Sequence, residues 1–325
     1  MKTLYLAALI LVVLLSACIQ ERPEPLSDPM KHQLALLPQD VDVLGYVNLQ
    51  KIQQSQVSKL ITDSADCYLF HEQELAELKS ATGFDFPQDV GEVYFALTLN
   101  EKVKGLNGLF VATGSYDPAK IVAYINLKSE DKKIIEETYN QFKIYRPAEE
   151  PTVFCFADQH TLVGGKETTV KAWLDKFNRS TGATLAPDWQ QAVESLKYKN
   201  GLWLVMTTKN LIELLEQETG LPKNLRGIKN IKNGSCSMDF SDRISFYGQG
   251  ECMDPETAIL FRDAFRGFLA SAKLAMSDKR DLVDIINKIS ADTKKETVMV
   301  QFILKAEELE KLLRLKKTHT HSGSI

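Results

Sequence analysis

Gly164-Gly165-Lys166 comes nearest in this chain to a phosphate-binding loop, in which backbone N–H groups cradle phosphate oxygens and lysine neutralises them. The match is incomplete, because His160 stands where the first glycine belongs and Glu167 where the magnesium-binding hydroxyl belongs. A glycine turn between strand and helix is the favoured reading. Ser129 and Lys132 have the S-x-x-K spacing of a serine nucleophile and its lysine base, but no companion motif accompanies them. His71-Glu72 begins the H-E-x-x-H pattern that puts two zinc ligands on one helical face, yet Leu75 occupies the second ligand position. His319 and His321 sit in a polar tail that reads as solvated. Asp40 and Asp42 would suit acid–base chemistry if burial separated their pKa values, but Asp before a strand usually caps or faces water. Trp173, Trp189 and Trp203 are the aromatic candidates for a ligand pocket, and their spacing favours core positions. The sequence therefore assigns no catalytic residue, no metal ligand and no cofactor, and a role other than enzyme is favoured.

One cysteine stands apart. Lys2 precedes an apolar run from Leu4 to Leu15, interrupted only by Tyr5, and the run is too short for an ordinary membrane-spanning helix. It ends in Leu15-Ser16-Ala17-Cys18, an aliphatic residue, two small residues and a thiol. This stretch resembles the lipobox of bacterial lipoproteins. The resemblance implies a signal peptide over residues 1–17, cleavage between Ala17 and Cys18, and attachment of diacylglycerol and further acyl chains to Cys18. Several chains on one residue hold a protein firmly where a single chain would not. Ile19, not Asp, follows the cysteine, which in a host with two membranes implies the outer membrane, facing the periplasm. Residues 18–31 are rich in proline and charge and read as an extended tether. No later apolar run is long enough to span, so the expected body lies beside a membrane, not across it.

The remainder is about twice the usual domain size. With 39 basic and 43 acidic residues it is close to neutral, and no basic block interleaves with aromatics, which argues against a nucleic-acid partner. Cys67, Cys155, Cys236 and Cys252 have no C-x-x-C spacing, so metal binding by them is disfavoured. Outside the inner membrane they are free to pair in three ways, or to serve as small buried hydrophobes.

The elements that would position these residues follow from periodicity. In the first stretch, strand Val43 to Leu49 leads into helical spacing through Leu60 and from Leu69 to Leu78. Strands Val90 to Leu99 and Gly108 to Gly114 come next, then a helix opened by Asp117-Pro118. Strands near Phe142, Thr152 and Thr161 precede a helix bearing Val170, Leu174 and Phe177. After Pro187 and Trp189 the order returns: strand Leu202 to Thr207, a helix with Leu211 and Leu214, and strands Cys236 to Phe240 and Ile244 to Tyr247. A helix opened by Asp254-Pro255, a strand Thr297 to Leu304 and a helix with Leu309 and Leu312 complete it. The reading is an α+β fold of two repeated β-α-β-β-α-β units, ferredoxin-like, with antiparallel sheets, at residues 32–180 and 188–316. Residues 317–325 read as a frayed tail.

Leu37-Pro38-Gln39-Asp40-Val41-Asp42 with Gly45-Tyr46-Val47-Asn48-Leu49, and Phe156-Ala157-Asp158 with Thr161-Leu162-Val163-Gly164-Gly165, resemble passages of uncharacterised exported bacterial proteins. That resemblance carries no activity. The expectation is a membrane-anchored envelope lipoprotein with a binding or structural role, partnered by the membrane through Cys18 and by an unidentified protein or polymer. Two alternatives stand: a small-ligand binder with a cleft between the units, and a hydrolase whose site follows no familiar motif.

Overall fold

Strand β1 (Val43–Asn48) sits in the middle of a 12-stranded sheet, with β2 (Val90–Thr98) on one side and β8 (Leu202–Thr207) on the other, both antiparallel. The computed structural model describes residues 25–63, 72–99, 107–128, 134–147, 151–179, 183–207 and 230–311. Cys18 and its lipobox, Cys67, His71, Ser129, Lys132, the helix expected around Leu211, Leu312, the tail and both its histidines lie outside those residues.

Outward from β2 come β3 (Asn107–Gly114), β7 (Thr161–Lys166), β6 (Thr152–Phe156), β5 (Phe142–Pro147) and β4 (Ile134–Tyr139). Outward from β8 come β9 (Ile231–Asp239), β10 (Arg243–Cys252), β12 (Thr297–Lys305) and β11 (Ser290–Lys294). The fold is α+β with one large antiparallel sheet. The two separate sheets expected from the sequence are joined, because β1 and β8 pair from Val43↔Met206 to Val47↔Leu202. Ferredoxin-like order is not what the strands adopt. That order needs a split β-α-β crossover, whereas β1 pairs directly with β2. The intervening helices α2 (Leu49–Gln53), α3 (Gln56–Asp63), α4 (Glu72–Thr82) and α5 (Phe86–Asp89) begin and end at the same end of the sheet, so the chain returns beside the strand it left.

Side chains alternate between the two faces of each strand. On the front face, Leu44, Tyr46, Tyr94, Ala96, Leu109, Val111, Val163 and Trp203 form one buried core with α1 (Asp28–Leu36), α7 (Glu167–Arg179) and α8 (Pro187–Glu194). On the back face, Val90 and Ala112 pack under α5 and α6 (Pro118–Lys128). Cys252 and Val298 pack under α9 (Pro255–Ala275), and Leu304 under α3 and α10 (Arg280–Ile286). Val57 of α3 thus reaches from the first half of the chain into the core of the second. The outer strands end the sheet with charge: Glu136 pairs with Lys143 at 2.7 Å on the β4 side, and Asp292 with Arg266 at 2.9 Å on the β11 side. Charged edges disfavour further strand addition.

Both Asp-Pro devices work as the sequence predicts. Asp117 Oδ1 accepts from Lys120 N at 3.2 Å and Asp254 Oδ1 from Thr257 N at 2.7 Å, satisfying donors that a helix start leaves free. Those hydrogen bonds hold both carboxyls below the usual carboxylate range. Each helix follows the third strand of its half, α6 after β3 and α9 after β10.

Helix α9 carries apolar residues on both sides. Leu269 is 8% exposed against the sheet, whereas Leu260 and Phe268 are 63% and 65% exposed. In urea denaturation, Leu269→Ala is expected to cost about 2–5 kcal/mol. Phe268→Ser should stay within about 0.5 kcal/mol, since its ring is already largely in water. Equal losses at both positions would show that the outer side is covered in solution.

Candidate functional site

The front face changes character at β8. Positions that hold leucine, valine and tyrosine in β1–β3 hold polar residues in β9 and β10. Ser235 lies opposite Val205 and Gln249, and Asn233 opposite Thr207 and Glu251. An amphipathic helix laid over polar side chains cannot seal against them as it does over leucine and valine. The result is a groove of about 470 Å³ between α8 and strands β8, β9, β10 and β12. Asp188, Gln191, Ala192 and Ser195 line it from the helical side, Val205, Gly234 and Thr297 from the sheet, and Glu296 from the β11–β12 connection. Ser195 Oγ donates to Ala192 O at 2.7 Å and accepts from Gln249 Nε2 at 2.9 Å, tying the end of α8 to the sheet. Glu251 accepts from Asn233 Nδ2 at 3.3 Å and lies 3.6 Å from Lys232 Nζ. Three carboxylates line the groove, and no lysine or arginine does among the described residues.

The first described residues are fixed beside this helix. Tyr198 Oη donates to Pro25 O at 2.6 Å, Leu26 N donates to Glu194 Oε1 at 3.3 Å, and the Leu26 and Met30 side chains are buried. Gln39 extends the same junction: its Nε2 donates to Leu34 O and Leu37 O, its Oε1 accepts from Ala186 N, and its carbonyl accepts from Trp189 Nε1 at 2.9 Å.

The residues singled out by motif lie elsewhere, in structural roles. Gly164 and Gly165 are inside β7, not in a loop. A Cβ on Gly164 would meet the Phe110 ring at 2.3 Å, and one on Gly165 the Gly108 carbonyl oxygen at 2.2 Å, so close packing against β3 explains the pair. Asp42 is buried and braces the central seam: Oδ2 accepts from Leu99 N at 2.7 Å, and its backbone bonds to Leu97 O and Thr207 N. Asp40 is exposed. Trp173 stacks on Phe177 at 4.8 Å and Trp203 on Tyr46 at 5.7 Å, both in the core. Cys155, Cys236 and Cys252 are free. Burial pushes the Cys155 thiol up to about 12 and raises the other two, so none offers a thiolate at neutral pH.

A carboxylate cluster that motif reading missed joins β1 and β2. Glu92 accepts from Tyr46 Oη at 2.7 Å and from Tyr94 Oη at 2.9 Å, while Asn48 Nδ2 donates to Tyr46 Oη at 3.1 Å. Burial, reinforced by Glu92, raises both tyrosines well above their ordinary value, so they remain donors and the cluster acts as a lock. Alternation in Tyr46-Val47-Asn48 and Glu92-Val93-Tyr94 places all four on one face, a signal present in the sequence once the strand pairing is known.

No protein-family model matches this chain, and no curated protein matches it. Among solved structures it is similar to crystal form III of TP0453, with a TM-score of 0.51 and 13% sequence identity over 86% of this chain and 96% of that one. Crystal form I of TP0453 gives a TM-score of 0.45 at the same identity, over 86% and 95%. At this identity the likeness is one of fold.

Proposed function

We propose that the protein is a bacterial envelope lipoprotein, anchored through acyl chains on Cys18, whose body is a non-catalytic binding module with its ligand site in the groove beside α8. The observation that carries the anchoring is Leu15-Ser16-Ala17-Cys18 at the end of an apolar run of signal-peptide length. Ile19 after the cysteine favours the periplasmic face of the outer membrane in a host with two membranes. Whatever its path, the chain from Cys18 to Pro25 spans at most about 25 Å. Because Pro25 is held at Tyr198, just past the end of α8, an anchor on Cys18 keeps that contact within about 25 Å of the lipid.

Binding is favoured over hydrolysis by the state of Ser195, which follows α8 and lines the groove. Ser195 is hydrogen-bonded to an amide and a carbonyl, not to a base that would take its proton. We also read the body as a duplication. The order β1-β2-β3-β7-β6 on one side of the seam matches β8-β9-β10-β12-β11 on the other, and an Asp-Pro helix follows the third strand in each. Growth with a radiolabelled or clickable fatty acid tests the anchor. Wild type should be labelled and sediment with membranes, and Cys18→Ser should do neither; a labelled serine variant would remove the lipoprotein reading.

A further inference from the structure

The outward side of α9 carries a seam with the spacing of a helix–helix contact. Leu260, Ala264, Gly267, Ser271 and Leu274 follow one another at steps of four, three, four and three residues, and all five are exposed. That spacing keeps side chains on one narrow line, as the contact line of a coiled coil does. The middle of the line is small, and its ends are the large side chains of Leu260 and Leu274, 63% and 77% exposed. Within the described chain nothing requires glycine at position 267, where a Cβ would meet no atom within 4 Å. Glycine is among the poorest residues for a helix interior. In mid-helix, with open space around it, it points to a neighbour that approaches from outside.

The seam is its own complement. About a two-fold axis at Gly267, an antiparallel second helix sets Leu260 against the partner's Leu274 and Ala264 against the partner's Ser271. The two backbones then meet at Gly267, where no side chain holds them apart. Charge agrees with that direction: residues 254–264 carry three carboxylates and one arginine, whereas residues 265–280 carry four basic groups and one carboxylate. An antiparallel pair brings the acidic end of each helix beside the basic end of the other and opposes their macrodipoles. A parallel pair would set like ends together. Lipid is the poorer occupant, because a helix lying in a membrane interface shows a broad apolar face. Here the exposed Asp263, held by Arg262 at 2.8 Å, borders the line.

We infer that α9 is the contact of a symmetric dimer, packed antiparallel on α9 of a second copy of this chain. The contact lies apart from the groove and does not depend on what the groove binds. One pair of 21-residue helices stands at the small end of stable interfaces, so association in the micromolar range follows.

Sedimentation equilibrium of the full lipidated chain, in detergent matched to the solvent density, should show monomer and dimer with a dissociation constant on the order of 10 μM. The urea comparison of Leu269 with Phe268 reads the free chain and belongs well below that concentration. Leu260→Asp and Leu274→Asp should each weaken association by about thirtyfold or more with unchanged circular dichroism. Gly267→Leu should weaken it by about tenfold or more while stabilising the helix itself. Disulfide trapping reads the direction: chains with Leu260→Cys mixed with chains with Leu274→Cys should crosslink above the wild-type background. Neither variant should crosslink to itself, because the two sites are about 21 Å apart along the helix. Self-crosslinking of either variant, a monomer up to about 200 μM, or aspartate variants that associate unchanged would overturn the assignment. A monomer that binds phosphatidylcholine vesicles, and loses them on Leu260→Asp, would overturn it in favour of lipid. Cys18→Ser should dimerise without detergent as wild type does, so a failed anchor and a failed dimer are read separately.

Discussion

Trp203→Ala should be among the most damaging single substitutions in the body, lowering stability by about 3–5 kcal/mol in chemical denaturation. The indole is fully buried at the seam, paired across strands with Tyr46 and stacked on it, and Tyr46 in turn packs on Tyr94 at 5.0 Å. Truncation would leave a cavity beneath the two strands that join the halves of the sheet. Trp203→Phe should cost much less. It keeps most of the apolar contact and removes an indole N–H that is buried without a hydrogen-bond partner among the described residues, itself a penalty in the native protein. A phenylalanine variant as unstable as the alanine variant would show that the indole nitrogen is satisfied in solution.

Gly165→Ala should be nearly as severe, because two costs combine. Gly165 has φ +148°, a conformation that side chains rarely adopt, worth about 1–3 kcal/mol. The added methyl would also lie 2.2 Å from the Gly108 carbonyl oxygen of β3, and backbone cannot swing aside, which adds about 1–3 kcal/mol. Gly164→Ala is the control. Its new methyl first meets the ring of Phe110, which is 42% exposed and able to move, so the loss should stay near about 1 kcal/mol, the low end for overpacking. Similar losses at both positions would contradict the close-packing explanation of this glycine pair.

Local chemistry was the legible part of the fold. Asp117-Pro118 and Asp254-Pro255 announce their helices because the cap and the missing N–H act within one turn, and the buried strands announce themselves by alternation. Edge strands β4 and β11 escaped sequence reading, since Ile134–Tyr139 exposes its middle four residues and Ser290–Lys294 is short and buries only Ala291. Helix α8 read as mere punctuation around Pro187 and Trp189, although it closes the groove. Sheet order was the larger error. A string of β-α-β-β-α-β is compatible with a crossover or with return to the neighbouring edge, and the choice depends on contacts between residues as distant as Val43 and Met206. The groove was illegible for the same reason: Asp188 and Glu296 are unremarkable in sequence and meaningful only because β8, β9, β10 and β12 bring them to one cavity.

The anchored-module proposal meets its most direct test in the mass of the amino-terminal peptide of protein isolated from membranes. It should begin at Cys18 and carry the mass of diacylglycerol, with or without a further acyl chain on its amine. A terminal peptide beginning at any other residue, or an unmodified Cys18, would contradict it.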